Sequence, residues 1–229
     1  MKFLSKLEKQ PWSGDDSSPF GVAGAFFLLA SAIFIVPFIA QKLPGEGLTL
    51  PDILLFSAMP GICAYGFFVA GKLPLRLLPV KEVFQCIGWG IVMILISAVV
   101  TFLWQILLSI LNIPFEKEQF AMTLIRKSHG GELIKLFFAL CVFTPLIEEL
   151  LFRRIIYGFF LKWGYRFAFL FTALIFSFCH FFIAGLPGLF VLGLGFQFGY
   201  LKFRNLSAAV LLHALFNSCS FLAVICKTV

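Results

Sequence analysis

The chain has 229 residues, of which 61% are hydrophobic and 13% are charged, and its formal net charge is +7. A soluble domain would carry about 25% charged residues, so the composition excludes an ordinary soluble protein. The apolar residues form continuous runs of about 20 rather than alternating with polar residues, which excludes a transmembrane β-barrel. The sequence therefore predicts an all-α, polytopic membrane helical bundle whose flanking basic residues face membrane lipids and not nucleic acid.

The first part of the chain predicts a tail and three membrane spans. Residues 1–18 are polar and predict an N-terminal cytoplasmic tail, whereas residues 19–132 predict three transmembrane helices followed by a polar connection. The three spans are predicted at residues 20–40, 52–70 and 86–112, and the connection at 113–132. Lys and Arg are more numerous on the side of the N-terminus, which predicts that this end of the chain is cytoplasmic.

Residues 133–229 predict a core of four further transmembrane helices, which brings the expected total to about seven. These spans are predicted at residues 133–163, 167–184, 187–201 and 206–226. The first is too long for one straight crossing and contains Pro145, so we expect a break or kink there, with partner helices satisfying the freed backbone groups. The third contains Gly195 and Gly199, a G-x-x-x-G pair that permits close helix packing.

Two adjacent carboxylates and an arginine lie inside the first core span, in the pattern Glu148-Glu149-x-x-x-Arg153. Ionisable side chains at membrane depth are costly and by default mark a functional site. Glu149 and Arg153 are four residues apart and are predicted to pair on one helix face. Glu148 points away from that face and is available as a general base. The alternative interpretation is a buried ion-pair network without catalytic function.

Two other core spans carry polar residues at a matching depth, in Phe176-x-x-x-His180 and His213-x-x-x-Asn217. At 1.5 Å per residue, Glu148, His180 and Asn217 each lie ~20 Å from a basic loop on the same side of the membrane. These residues are therefore predicted to meet in one site. The alternatives are a packed core histidine at position 180 and a helix-to-helix hydrogen-bonding role for the second pair.

Water is the expected nucleophile of such a site. The sequence contains no G-x-S-x-G nucleophile turn and no H-E-x-x-H zinc helix. Ser177 lies near His180 in the sequence, but at this spacing it is interpreted as a buried helix hydroxyl.

Taken in this order on successive helices, the three motifs resemble the CAAX-protease and bacteriocin-processing (CPBP, or Abi) membrane proteins, which include the Rce1-type prenyl endopeptidases. The resemblance covers about residues 133–220. It implies an intramembrane endopeptidase, a hydrolase that cleaves a membrane-anchored or lipidated peptide or protein with activated water. The implied catalytic residues are Glu148 as general base, His180 as the residue that orients the water, and His213 with Asn217 as oxyanion stabilisers. The implied supporting residues are Glu149, Arg153 and Phe176.

The metal requirement and the function class have alternatives. Glu148, His180 and His213 would be the ligands of a zinc ion, but the missing H-E-x-x-H spacing favours a metal-independent site without a cofactor. A non-enzymatic bacteriocin-immunity or membrane scaffold protein on the same fold would not need the four polar residues together. A small transporter would be expected to show internal repeats with broken helices, and we find none in the sequence. We expect the protein in a bacterial cell (inner) membrane.

Overall fold

The computed structural model describes residues 76–116 and 118–228, and in this part of the chain every regular element is helical. The α-helices are α1 (Val80–Ile110), α2 (Phe120–Lys127), α3 (Gly131–Phe138), α4 (Thr144–Glu149), α5 (Tyr157–Phe160), α6 (Tyr165–Phe178), α7 (Leu186–Phe203) and α8 (Leu206–Thr228). This confirms the all-α prediction. The predicted tail and the spans predicted at residues 20–40 and 52–70 lie outside the described residues.

Three stretches of the described chain are helical, long and apolar enough to cross a membrane, namely Val80–Ile110, Ile183–Phe203 and Leu206–Lys227. The first of them begins at Val80 rather than at the predicted residue 86. Helix α6 is apolar but has only 14 residues. The protein is thus a membrane protein whose described part is all-helical, and the total of seven spans remains a prediction.

Helix α7 lies at the centre of the bundle and packs against α1, α6 and α8. Two of its glycines let the neighbouring helices approach closely. A Cβ at Gly195 would lie 2.7 Å from the methyl carbon of Met93 on α1, and one at Gly199 would collide with Leu212 on α8. The close helix packing predicted from this pair of glycines is therefore confirmed.

A continuous helical run, which we call the site helix (residues 131–163), carries the paired carboxylates. It comprises α3, α4 and α5, the π-helical segments Ala139–Phe143 and Leu150–Ile156, and a closing 3-10 turn at Leu161–Trp163. The break predicted at Pro145 takes the form of a widened π-helical turn rather than a gap. The Nδ2 of Asn217 on α8 donates to the backbone oxygen of Leu140 at 2.7 Å. A partner helix therefore satisfies a carbonyl next to the break, as expected.

The second core span is shorter than predicted. A continuous helix was expected over residues 167–184 with His180 inside it, but α6 ends at Phe178. The backbone N–H of His180 bonds the oxygen of Ser177, three residues back, and Phe181 has a left-handed φ of 48°. These two features stop the α-helical hydrogen-bond ladder, so His180 lies in the turn that follows α6.

Candidate active site

Glu149 and Arg153 form a fully buried ion pair on the site helix. The Nε of Arg153 donates to Oε2 of Glu149 at 2.6 Å and its Nη2 donates to Oε1 at 3.3 Å, and both side chains have 0% exposure. The predicted pairing of these residues is thus confirmed. Oε1 of Glu149 also lies 2.9 Å from Nδ1 of His213. Because an arginine-paired carboxylate only accepts hydrogen bonds, Nδ1 of His213 carries the proton and a neutral ring presents the Nε2 lone pair.

Gln197 extends this pair into a chain of buried polar groups. The Nη1 of Arg153 donates to Oε1 of Gln197 at 3.1 Å, and the glutamine side chain is fully buried. The chain Gln197–Arg153–Glu149–His213 thereby joins α7, the site helix and α8. Its groups have been removed from water and bond one another, so each depends on the presence of the others.

His180 is fixed by a hydrogen bond at the end of α6. Its Nδ1 lies 2.7 Å from the backbone oxygen of Phe176, and because a carbonyl only accepts, Nδ1 is the donor. The ring therefore caps a carbonyl that the His180 backbone N–H leaves free, and a neutral ring presents Nε2 to the site. The ring of Phe176 lies 4.7 Å from the ring of His180 and 5.7 Å from that of His213, measured between centroids. Phe176, predicted to support the site, thus contacts both imidazoles.

Glu148 faces both of these histidines. Its Oε2 lies 3.9 Å from Nε2 of His180 and 3.9 Å from Nε2 of His213. This atom is buried and has no hydrogen-bond partner within the described residues, although 28% of the side chain is exposed. A separation of 3.9 Å is too long for a direct hydrogen bond and suits a bridging water. The structure therefore brings three of the four predicted catalytic residues around one point.

Asn217, the fourth predicted residue, lies one helical turn from His213 on α8. Its Nδ2 donates to the backbone oxygen of Leu140, so within the described residues its hydrogen bond goes to the site helix and not to the other three residues. The oxyanion role that the resemblance implies would have to use the remaining N–H of this amide.

Two residues that contribute to the site were missed by reasoning from the sequence. Phe196 stacks on His213 with ring centroids 4.8 Å apart and planes at 17°, and Gln197 holds Arg153. A signal existed for Gln197, because a polar amide within an apolar, glycine-rich span is itself unusual at membrane depth. None existed for Phe196, because the chain contains 32 phenylalanines. The interpretation of Ser177 is confirmed, since its buried hydroxyl donates to the oxygen of Leu186 at 2.7 Å.

The residues of the alternative zinc site fit a metal in chemistry but not in spacing. Glu148, His180 and His213 present one carboxylate oxygen and two imidazole nitrogens, and the other nitrogen of each ring is hydrogen-bonded, as in zinc-bound histidines. Tetrahedral zinc with ligands at ~2.0 Å would bring the ligand atoms to about 3.3 Å from one another. Here Oε2 is 3.9 Å from each nitrogen, and within residues 76–116 and 118–228 no three His, Cys, Asp or Glu side chains are grouped to hold a metal.

A known protein family matches the segment of the chain that carries this site. No curated protein and no solved structure matches the chain. Residues 130–219 match the family model described as type II CAAX prenyl endopeptidase Rce1-like, and this segment contains all seven predicted catalytic and supporting residues. The resemblance that the three motifs carry is therefore confirmed, and residues 130–219 of this integral membrane protein are similar to the Rce1-like type II CAAX prenyl endopeptidases.

Proposed function

We propose that the protein is an intramembrane endopeptidase that hydrolyses a peptide bond of a lipidated, membrane-anchored substrate with water activated by Glu148. The observation that carries this proposal is Oε2 of Glu148, which has no partner among the described residues and lies 3.9 Å from Nε2 of both His180 and His213. The family match supports a protease-type enzyme that acts on a membrane-associated, prenylated protein. The proposed location is a bacterial inner membrane with the N-terminus in the cytoplasm.

The proposed reaction is a direct attack of water on the peptide carbonyl. Glu148 accepts a proton from the water as the water oxygen bonds the carbonyl carbon, and Nε2 of His180 accepts the second hydrogen bond of the water and orients it. Glu148 then gives the proton to the amide nitrogen as the carbon–nitrogen bond breaks. The products are a carboxylic acid and an amine, and Glu148 is returned to its starting form.

His213 is proposed to stabilise the oxyanion of the tetrahedral intermediate. With Nδ1 bonded to Glu149, Nε2 becomes a donor only when both ring nitrogens carry protons. The carboxylate of Glu149 accepts a hydrogen bond from Nδ1 at 2.9 Å and fixes the orientation of the ring, with Nε2 turned toward Glu148. The buried ion pair with Arg153 would therefore act on the reaction through His213.

The substrate class is tested with a peptide ending in C-a-a-X, with and without a farnesyl group on its cysteine. We expect the purified protein in proteoliposomes to cleave the farnesylated peptide and to leave the unmodified peptide intact, because the lipid holds the substrate at membrane depth. Product mass identifies the bond that is broken. No cleavage of either peptide would favour an immunity or scaffold protein, and equal cleavage of both would remove the lipid requirement.

Activity is expected to persist in the presence of a zinc chelator, because the proposed base, orienting group and oxyanion donor are all side chains. The measurement is the cleavage rate of the farnesylated peptide before and after incubation with 1,10-phenanthroline, with its non-chelating 1,7 isomer as the matched control. A rate that falls only with the chelator and returns when Zn²⁺ is added would refute the metal-independent mechanism.

A further inference from the structure

Pro145 lacks the backbone N–H that would pair with one carbonyl of the site helix. The N–H of Thr144 bonds the oxygen of Ala139, five residues back, which sets the π-helical register of this turn. In the same register the nitrogen of residue 145 would bond the oxygen of Leu140, but proline has no N–H. The Nδ2 of Asn217 lies 2.7 Å from that oxygen and supplies the missing donor.

Helix α8 thereby holds the site helix at two points. Asn217 bonds Leu140, and His213, four residues earlier on the same face of α8, bonds Glu149 at 2.9 Å. Two hydrogen bonds at separate points fix both the position and the rotation of the site helix against α8. The 3.9 Å separation between Glu148 Oε2 and His213 Nε2 depends on both, because Glu148 is the neighbour of Glu149 in the chain.

We infer that Asn217 is a positioning residue, which sets the register of the site helix by replacing the hydrogen bond that Pro145 removes. It acts on the reaction through the placement of Glu148, and the second N–H of its amide stays available for the oxyanion role that the resemblance implies. The expected change in kcat rests on the proposed function, whereas the expected change in the register of the site helix does not. An unpaired carbonyl among apolar side chains is costly, so without Asn217 the site helix shifts until this oxygen finds another donor.

A double-variant experiment tests this inference. Asn217→Ala is expected to lower kcat for the farnesylated peptide by about 10²-fold, because a shift of ~1 Å at the reacting groups has an effect of that size. Pro145→Ala supplies a backbone N–H to Leu140, so it should remain active alone. Combined with Asn217→Ala it should raise kcat about tenfold or more above the single Asn217→Ala variant and restore the melting temperature. Pro187→Ala, at the start of α7, is the matched control and should give no rescue.

The outcomes separate a positioning role from a catalytic one. If the double variant regains its melting temperature while its kcat stays as low as that of Asn217→Ala alone, Asn217 acts on the reaction only as a direct oxyanion donor and the inference is overturned. If the wild type cleaves no peptide, the proposed function fails, but recovery of the melting temperature by Pro145→Ala still tests the pairing with Leu140. Failure of that recovery would overturn the inference. If Asn217→Ala does not fold, Asn217→Asp, which keeps the shape but loses the donor, should show the same rescue.

Discussion

Replacement of Arg153 by methionine is expected to lower the free energy of unfolding by about 3–5 kcal/mol, the range found when one partner of a buried ion pair is removed. The guanidinium group donates to both oxygens of Glu149 and to Gln197, and the arginine and glutamate side chains have no exposure. Without it, Glu149 is left as a charge among apolar groups with His213 as its remaining partner. Unfolding in a mild detergent, followed by circular dichroism or fluorescence, measures the change.

Two variants control this experiment. Arg126 makes an ion pair of the same length with Glu118, 2.6 Å, but both side chains are 36% exposed. Because solvent screens such pairs, Arg126→Met should lower the free energy of unfolding by less than about 1 kcal/mol. The double variant Glu149→Gln/Arg153→Met should be more stable than Arg153→Met alone, since it removes both charges together. If Arg153→Met and Arg126→Met lower the free energy of unfolding equally, burial of the Glu149–Arg153 ion pair does not make it more important for stability than the exposed pair.

The sequence was sufficient to predict the carboxylates, the arginine and the imidazoles of the site, because polar and charged side chains are costly inside a membrane. The pairing of Glu149 with Arg153 followed from helical spacing, and the approach of Glu148 and His180 to the helix of His213 and Asn217 followed from the similar depth of these groups. Both predictions depend only on helix geometry, which is the same in every protein. The part of the site that regular helix geometry determines could therefore be read from the residues.

The missed features depend on departures from regular geometry. Neither the end of α6 at Phe178 nor the π-helical segments around Pro145 could be predicted, because the competing hydrogen-bond registers differ little in energy and tertiary contacts decide between them. Those departures determine which nitrogen of His180 faces Glu148 and where the Nδ2 of Asn217 goes. The orientations of the side chains, and the contributions of Phe196 and Gln197, thus required the structure.

The arrangement around Glu148 also bears on the rival functions. A scaffold or immunity protein gains stability when buried polar atoms are paired, as both oxygens of Glu149 are. Oε2 of Glu148 and Nε2 of Gln197 are both buried and unpaired within the described residues, but Oε2 also lies at a distance from two imidazoles that admits a water. A costly group of this kind is typical of a site that binds a reactant. The geometry therefore favours an enzyme over a purely structural protein.

Glu148→Gln is expected to lower kcat by about 10² to 10⁴-fold, the usual contribution of a general base. The amide has nearly the same shape as the carboxylate but cannot take a proton from water. Stability should change little, because Oε2 has no hydrogen bond to lose within the described residues. Glu132→Gln, an exposed carboxylate at the start of α3, is the matched control and should leave both kcat and the melting temperature unchanged.

The role of Glu148 as the base that activates water is tested most directly by the single-turnover cleavage rate of the farnesylated peptide. Wild type and Glu148→Gln would be reconstituted side by side in proteoliposomes at equal concentration, with equal melting temperatures as proof of folding. The predicted result is a rate at least about 100-fold lower for Glu148→Gln. Equal rates for the two folded proteins would contradict the assignment of Glu148 as the base.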